Sequence, residues 1–226
     1  MAIFKRLRFD FHSNPVAVSP AVHFLMGGVR TNDSGRTEIE GLYACGEIQW
    51  GLHGANRMGG NAMTECVVSG AIAGRSAAER VLGEIPVPTC REKPRRAARA
   101  SSTAESAEIH GILSGIRAIA WECAGIVRSG QGLLKGLERL ESVERRLELL
   151  GALERGERAL LEDARAGALT LRAILLASLA RKESRGSFLR SDFTDEDDVN
   201  WRRNSCLSYD TDKNTFAVQY LPVEDM

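Results

Sequence analysis

The sequence predicts an α+β protein: a small β-rich segment, a glycine-started helix, a helical bundle and a mixed C-terminal tail. Three observations carry this reading. Residues 1–60 are rich in glycine and β-formers, with little helical periodicity. Through residues 101–183, Leu133, Leu137, Leu140 and Leu147, then Leu160, Ala164, Leu171, Leu175 and Leu179, recur at helical spacings. Residues 184–226 are polar with scattered aromatics.

Taken in order, Val29–Thr31 and Thr37–Ile39 flank Asn32-Asp33-Ser34-Gly35, a strong turn signal that predicts a short hairpin. Gly41-Leu42-Tyr43-Ala44-Cys45 reads as a short buried strand stopped by Gly46. Residues 61–82 form the first helix, lined by Ala62, Ser69, Gly70, Ala73, Gly74 and Ala77. Gly70 and Gly74 lie one turn apart, spacing that permits close backbone approach and tight packing on a sheet. A solvated linker is expected at 83–99, with Pro86, Pro88 and Pro94 among five basic residues. Ser102 with Glu105 matches a capping box opening the helical region 100–183. Gly151 and Gly156 bracket a break between helices there, and two or three antiparallel helices would bury the leucine stripes. In the tail, Cys206–Tyr209 and Thr215–Tyr220 around Asp210–Asn214 predict another hairpin. The organisation is therefore 1–82, a linker at 83–99, a bundle at 100–183 and an extension at 184–226.

Lys plus Arg count 30 and Asp plus Glu count 30, so a zero net charge argues against a nucleic-acid partner and against an acidic solvating tail. The five cysteines, Cys45, Cys66, Cys90, Cys123 and Cys206, include no C-x-x-C pair and so offer neither an iron–sulfur cradle nor a zinc knuckle. An odd, scattered set suits a reducing compartment, with each thiol a small core side chain. Met1–Phe11 is too charged for a signal peptide, and the most apolar stretch, Ala168–Ala180, is short and interrupted by Arg172. A cytoplasmic chain is expected, meeting a membrane only through a partner.

The stretch from His23 to Gly74 carries the chemistry. It holds His23-Phe24-Leu25-Met26-Gly27-Gly28, then Gly41-Leu42-Tyr43-Ala44-Cys45-Gly46-Glu47, then Gly51-Leu52-His53-Gly54-Ala55-Asn56-Arg57-Met58-Gly59-Gly60-Asn61-Ala62-Met63. A loop with Gly51, Gly54, Gly59 and Gly60 opens directly into a helix, presenting free N–H groups and a positive dipole end to an anion or an electron-rich cofactor edge. Arg57 lies inside this loop, and a carboxylate is the natural partner of its guanidinium fork. The G-x-G-x-x-G dinucleotide fingerprint is absent.

In their order and separations these blocks resemble the carboxy-terminal flavin-binding stretch of the fumarate reductase, succinate dehydrogenase and L-aspartate oxidase flavoproteins. Trp121-Glu122-Cys123-Ala124-Gly125-Ile126-Val127-Arg128 and Glu183-Ser184-Arg185-Gly186-Ser187-Phe188-Leu189-Arg190-Ser191-Asp192-Phe193 resemble two later family segments, and Trp201 falls where such chains often carry Trp. The resemblance implies that His23 and Arg57 bind the carboxylates of a dicarboxylic acid such as fumarate or succinate. It implies that Gly46 and Glu47 contact FAD, with Glu47 on its ribityl or ribose part. The backbone of Asn61, Ala62 and Met63 would face the flavin pyrimidine edge. Arg185 and Asp192 are expected to fix the C-terminal segment, while Trp121 and the leucines form core. His53 belongs to the motif, its role open between the site and loop packing.

Departures from the family matter equally. Neither the amino-terminal Rossmann half nor most of the capping domain lies in this sequence, and Ala62 stands where many members have Ser. Alone, the chain is expected to be poorly soluble or oligomeric and not to bind FAD tightly. The implied partners are the missing N-terminal half or a partner chain, and an iron–sulfur or electron-transfer subunit. An L-aspartate oxidase-like portion and a non-catalytic subunit-docking module are the alternatives.

Overall fold

Residues 18–82, 103–150 and 155–223 are described in the computed structural model of the chain. A boundary between Ile85 and Pro86 divides it into two units. The expected 83–99 linker, the Ser102–Glu105 capping box and Cys90 lie outside the described residues or side chains.

Helix α1, Asn61–Leu82, organises the first unit. The turn at Asn32–Gly35 forms because the Asn32 side chain accepts from the N–H groups of Ser34 and Arg36, each at 3.0 Å. The hairpin expected around it does not form: Arg36 bridges Tyr43, and Val29 bridges Gln49 in parallel. Thr37 donates to Leu42 and Leu42 to Ile39, so 37–42 closes as a tight loop instead. Gly41–Cys45 is likewise not a buried strand; Leu42 and Cys45 are exposed and only Tyr43 bridges. The turn presses on the helix, where a Cβ added at Gly35 would come within 2.7 Å of the Ala73 Cβ. Arg36 Nε donates to Ser76 Oγ at 3.2 Å beside this contact. Among the described residues α1 therefore packs on loops, not on a sheet. No heavy atom lies within 4 Å of a Cβ added at Gly70 or Gly74, so the expected close approach there is absent.

The second unit is a bundle of α2 (Thr103–Ala124), α3 (Gly130–Leu149) and α4 (Arg155–Ala180). Ile109, Ile112, Ile116 and Ile119 of α2 meet Leu133, Leu140 and Leu147 of α3 and Leu161, Leu171 and Leu175 of α4 in one core. Ion pairs Glu122–Arg139 at 2.5 Å and Glu108–Arg146 at 3.4 Å run in opposite chain order, so α2 and α3 are antiparallel. Gly156, expected to bracket a helix break, lies inside the first turn of α4. Trp121 is 55% exposed and is not core. Two residues on a helix are about 200° apart, so placing Ile119 and Cys123 inward turns Trp121 outward. Of the described cysteines only Cys123 is buried; Cys45 and Cys66 are exposed and Cys206 is intermediate.

Short strands tie the tail to the bundle. β1 (Val127–Arg128) pairs in parallel with β2 (Leu189–Arg190), α5 spans Asp198–Trp201, and β3 (Arg203–Asp210) pairs antiparallel with β4 (Thr215–Pro222). Asn214, with φ of 51°, closes the last turn. At the joint, Glu183 is wholly buried. Arg185 donates to it at 3.0 Å, Arg181 also pairs with it, and the Asp197 N–H donates at 3.1 Å. Burial by itself would raise the Glu183 pKa, but these hydrogen bonds and charges prevail and hold it below its ordinary value. Nearby, Arg190 donates to the Ser178 and Arg181 carbonyls and pairs with Asp192. Asp192 in turn accepts from the Gly130 N–H at the start of α3, at 2.9 Å.

Three substitutions have expected outcomes. Gly136 touches Cys123 and Leu175, a Cβ there falling 2.8 Å and 2.9 Å from their side-chain carbons. Gly136→Ala should therefore cost about 1–3 kcal/mol by overpacking. Gly111→Ala, on an open face of α2, should gain up to about 1 kcal/mol; urea unfolding followed by circular dichroism reads both. Because the folded pKa of Glu183 is depressed, its contribution is present above the ordinary carboxylate range and lost as pH falls through the folded value. Glu183→Gln should cost about 3–5 kcal/mol at neutral pH and flatten the loss of stability below about pH 4.5. An unchanged acid limb would show that Glu183 is not the linked group.

Candidate functional site

The site residues are carried by three segments gathered on α1. The first is the run 23–29, joined to the second through Val29, whose N–H donates to the Ile48 carbonyl at 2.7 Å. Gly28 is required at this crossing, because a Cβ there would fall 1.9 Å from the same carbonyl oxygen. The second segment is a 3₁₀ turn, Gly46–Ile48. Gly46 adopts φ of 72° and is buried, with Cys66 of α1 against it. Its N–H donates to Ser69 Oγ at 2.8 Å, and Ser69 donates to the Glu65 carbonyl at 2.6 Å. Glu47 next to it is exposed, and its Oε1 accepts from the Leu25 N–H at 2.9 Å. Its carboxylate thus ties the first segment to the second.

The third segment is the glycine loop 51–60. His53 Nε2 faces Glu65 Oε2 at 2.7 Å, with only 8% and 2% of the two side chains exposed. A carboxylate only accepts, so Nε2 is the donor. Phe24 meets the His53 ring edge-on, with centroids 5.3 Å apart. Arg57 lies over the Phe24 ring, its guanidinium carbon 4.6 Å from the ring centroid. Arg57 Nη1 donates to the Met58 carbonyl at 3.2 Å, while its Nε is buried and has no acceptor among the described residues. That orphaned donor is half of a fork that a carboxylate would fill.

The structure therefore brings Arg57 against Phe24, the neighbour of His23; His23 itself is exposed. The α1 N-terminus is open. Its first turn contains no acidic residue, and no heavy atom lies within 4 Å of a Cβ added at Gly59 or Gly60. Asn61 spends its N–H on the Met58 carbonyl at 3.3 Å. The first-turn N–H groups of Ala62 and Met63 have no intrahelical acceptor, so they are the donors available to an electron-rich cofactor edge, and the chemistry of the turn fits one. The sequence by itself assigns neither Phe24 nor Glu65 a role in the site. One signal was present: between Arg57 and Arg75, Glu65 is the only charged residue.

A family model described as the fumarate reductase flavoprotein C-terminal region matches residues 114–226. An FAD-binding domain model matches residues 3–63, which include every site position named above except Glu65 and those beyond it. The chain is 33% identical over 206 residues to an uncharacterized FAD-dependent oxidoreductase of Methanocaldococcus jannaschii, covering 89% of this chain and 38% of that protein. It is 36% identical over 188 residues to L-aspartate oxidase 2 of Ralstonia nicotianae, covering 83% and 32%. A solved chain of E. coli quinol fumarate reductase matches with a TM-score of 0.78 at 27% identity, over 97% of this chain and 40% of that one. The chain thus spans about two fifths or less of the length of these relatives. Among the described residues, no helix is long and apolar enough to cross a membrane. With half its length matched by the C-terminal family model and its first segment by the FAD-binding one, this chain belongs to the fumarate reductase/succinate dehydrogenase flavoprotein family and carries part of its FAD-binding domain together with its C-terminal region.

Proposed function

We propose that the first unit supplies the dicarboxylate- and flavin-contacting part of an FAD-dependent oxidoreductase of the fumarate reductase/succinate dehydrogenase type, and that it works with the flavin-binding portion its relatives carry beyond this stretch. The observation that carries the reading is Arg57, stacked on Phe24 beside His23 with a buried donor nitrogen and no acceptor.

In this reading Arg57 grips one substrate carboxylate through its fork, and His23 holds the second. Drawing carboxylate charge toward Arg57 polarises the substrate carbon skeleton, which favours the charge distribution of the transition state. Bound FAD supplies the two-electron centre that exchanges hydride with a substrate carbon. Gly46 keeps the 3₁₀ turn against α1, and Glu47 reaches the ribityl or ribose part of the cofactor. The N–H groups of Ala62 and Met63 at the α1 terminus favour negative charge on the flavin pyrimidine edge. The helices of the second unit serve as the docking surface for an iron–sulfur or electron-transfer subunit, through which the protein meets a membrane peripherally. Two carboxylates are common to fumarate, succinate and L-aspartate, so the same site accommodates the L-aspartate oxidase alternative, and substrate trials separate them.

The test is a visible absorption spectrum of the protein purified gently from its host with its bound partners. A flavin spectrum perturbed by succinate or fumarate but not by L-aspartate is expected. Arg57→Ala should keep the flavin and weaken dicarboxylate binding about 10- to 100-fold, the loss expected of a charged hydrogen-bonded contact. A colourless protein, or flavin with unaltered dicarboxylate affinity in Arg57→Ala, would sink the proposal.

A further inference from the structure

We infer that the buried His53–Glu65 pair is a positioning device for Arg57, acting through the Phe24 ring. The inference rests on the reading of Arg57 as the carboxylate fork.

Both members of the pair are almost wholly buried, although the loop around His53 is largely exposed. Burying a carboxylate and an imidazole carries a large desolvation cost, offset only when each satisfies the other. An apolar pair would hold a loop on a helix at lower cost, so the polar pair needs a geometric reason. Its neighbours supply one. Glu65 projects from α1, whose backbone is fixed by its own ladder and by the Ser69 contact that also seats Gly46. The 2.7 Å hydrogen bond is directional, so it sets the rotation of the His53 ring as well as its position. Phe24 meets that ring at 71°, an edge-to-face arrangement that restricts its own plane in turn. Arg57 then lies over the Phe24 ring, 4.6 Å away.

Glu65, His53, Phe24 and Arg57 thus form one stack drawn from the helix, the glycine loop and the first segment. Among the described residues the last member has no carboxylate to orient it: its Nε is buried without an acceptor there. A guanidinium left free for substrate must be aimed by something other than an ion pair, and the Phe24 face does this without consuming its hydrogen-bonding edge. Glu65 and His53 touch neither substrate nor cofactor in this scheme; they are positioning residues.

Two measurements test it. In the protein purified with its bound partners, the Arg57 Nε–H signal, assigned by its disappearance in Arg57→Lys, should be shifted upfield by the Phe24 ring. Glu65→Ala should abolish that shift, while Glu65→Gln, whose carbonyl still accepts from His53, should retain it. His53→Gln keeps a donor for Glu65 but removes the ring that Phe24 abuts, and should also abolish the shift; it carries the test if Glu65→Ala does not fold. In the flavin-loaded protein, Glu65→Ala should lower succinate affinity about tenfold at unchanged flavin content, with Glu65→Gln restoring it to within about threefold. An unmoved Arg57 signal in both Glu65→Ala and His53→Gln overturns the inference. So does a loss of succinate affinity in Arg57→Ala with none in Glu65→Ala. If the signal is released yet neither Arg57→Ala nor Glu65→Ala alters succinate affinity, Arg57 is positioned as inferred and it is the substrate reading that fails.

Discussion

In the first unit the hydrogen bond between His53 Nε2 and Glu65 Oε2 joins two requirements that otherwise conflict. A loop carrying four glycines, with Leu52 and Met58 exposed, packs little apolar side chain against the helix. The same loop has to lead into α1 so that the first-turn N–H groups stay open. A buried directional contact one turn inside the helix meets both needs. It anchors the loop by chemistry that little packing area is required for, and it leaves Gly59, Gly60 and the helix terminus uncovered. The Gly46–Ile48 turn is seated on the same edge of α1 through Ser69, and the run 23–29 is fixed to that turn through Val29 and Glu47. Each site segment is thereby referred to one helix.

The second unit uses the opposite economy. Its bundle is held by an ordinary apolar core, and its tail by polar contacts that all originate at residues 181–192. Glu183 draws in Arg181, Arg185 and the Asp197 backbone; Arg190 and Asp192 reach the end of α4 and the start of α3. Every charged group buried there faces an opposite charge or a backbone partner, which is the condition under which such burial is tolerated. Arg57 in the first unit is the contrast: a guanidinium with a buried, unsatisfied donor. Among the described residues, the arginines at the joint of the tail have partners for their buried donors, whereas Arg57 Nε has none.

Much of this was legible in the sequence, for physical reasons. The leucine stripes gave the bundle because a period of 3.6 residues admits one buried face. The terminal hairpin was evident because alternating strands flanked a five-residue turn, although it extends farther than expected, over Arg203–Pro222. Motif order carried the family, since Gly-rich loops that approach a helix terminus tolerate few alternatives. Size and apolarity do not place Trp121 in the core, because Ile119 and Cys123 already occupy the inner face of the helix there. The hairpin at residues 29–39 was misread because turn chemistry is local, whereas the choice of strand partner is not: Arg36 found Tyr43 and Val29 found Gln49 across the chain.

By itself the sequence determined the α+β class, the helical bundle, the family and the residue types on offer at the site, because periodicity, turn chemistry and motif spacing are properties of neighbouring residues. Tertiary structure alone decided that His53 meets Glu65, that Phe24 stands between His53 and Arg57, that Glu47 binds the Leu25 backbone, and that Asn61 spends its N–H on Met58. These pairings join residues from separate segments or turn on the local path of a loop. They follow from which groups are forced to share one small buried space, where an unsatisfied polar atom is costly and each side chain's orientation is fixed by the partner it finds there.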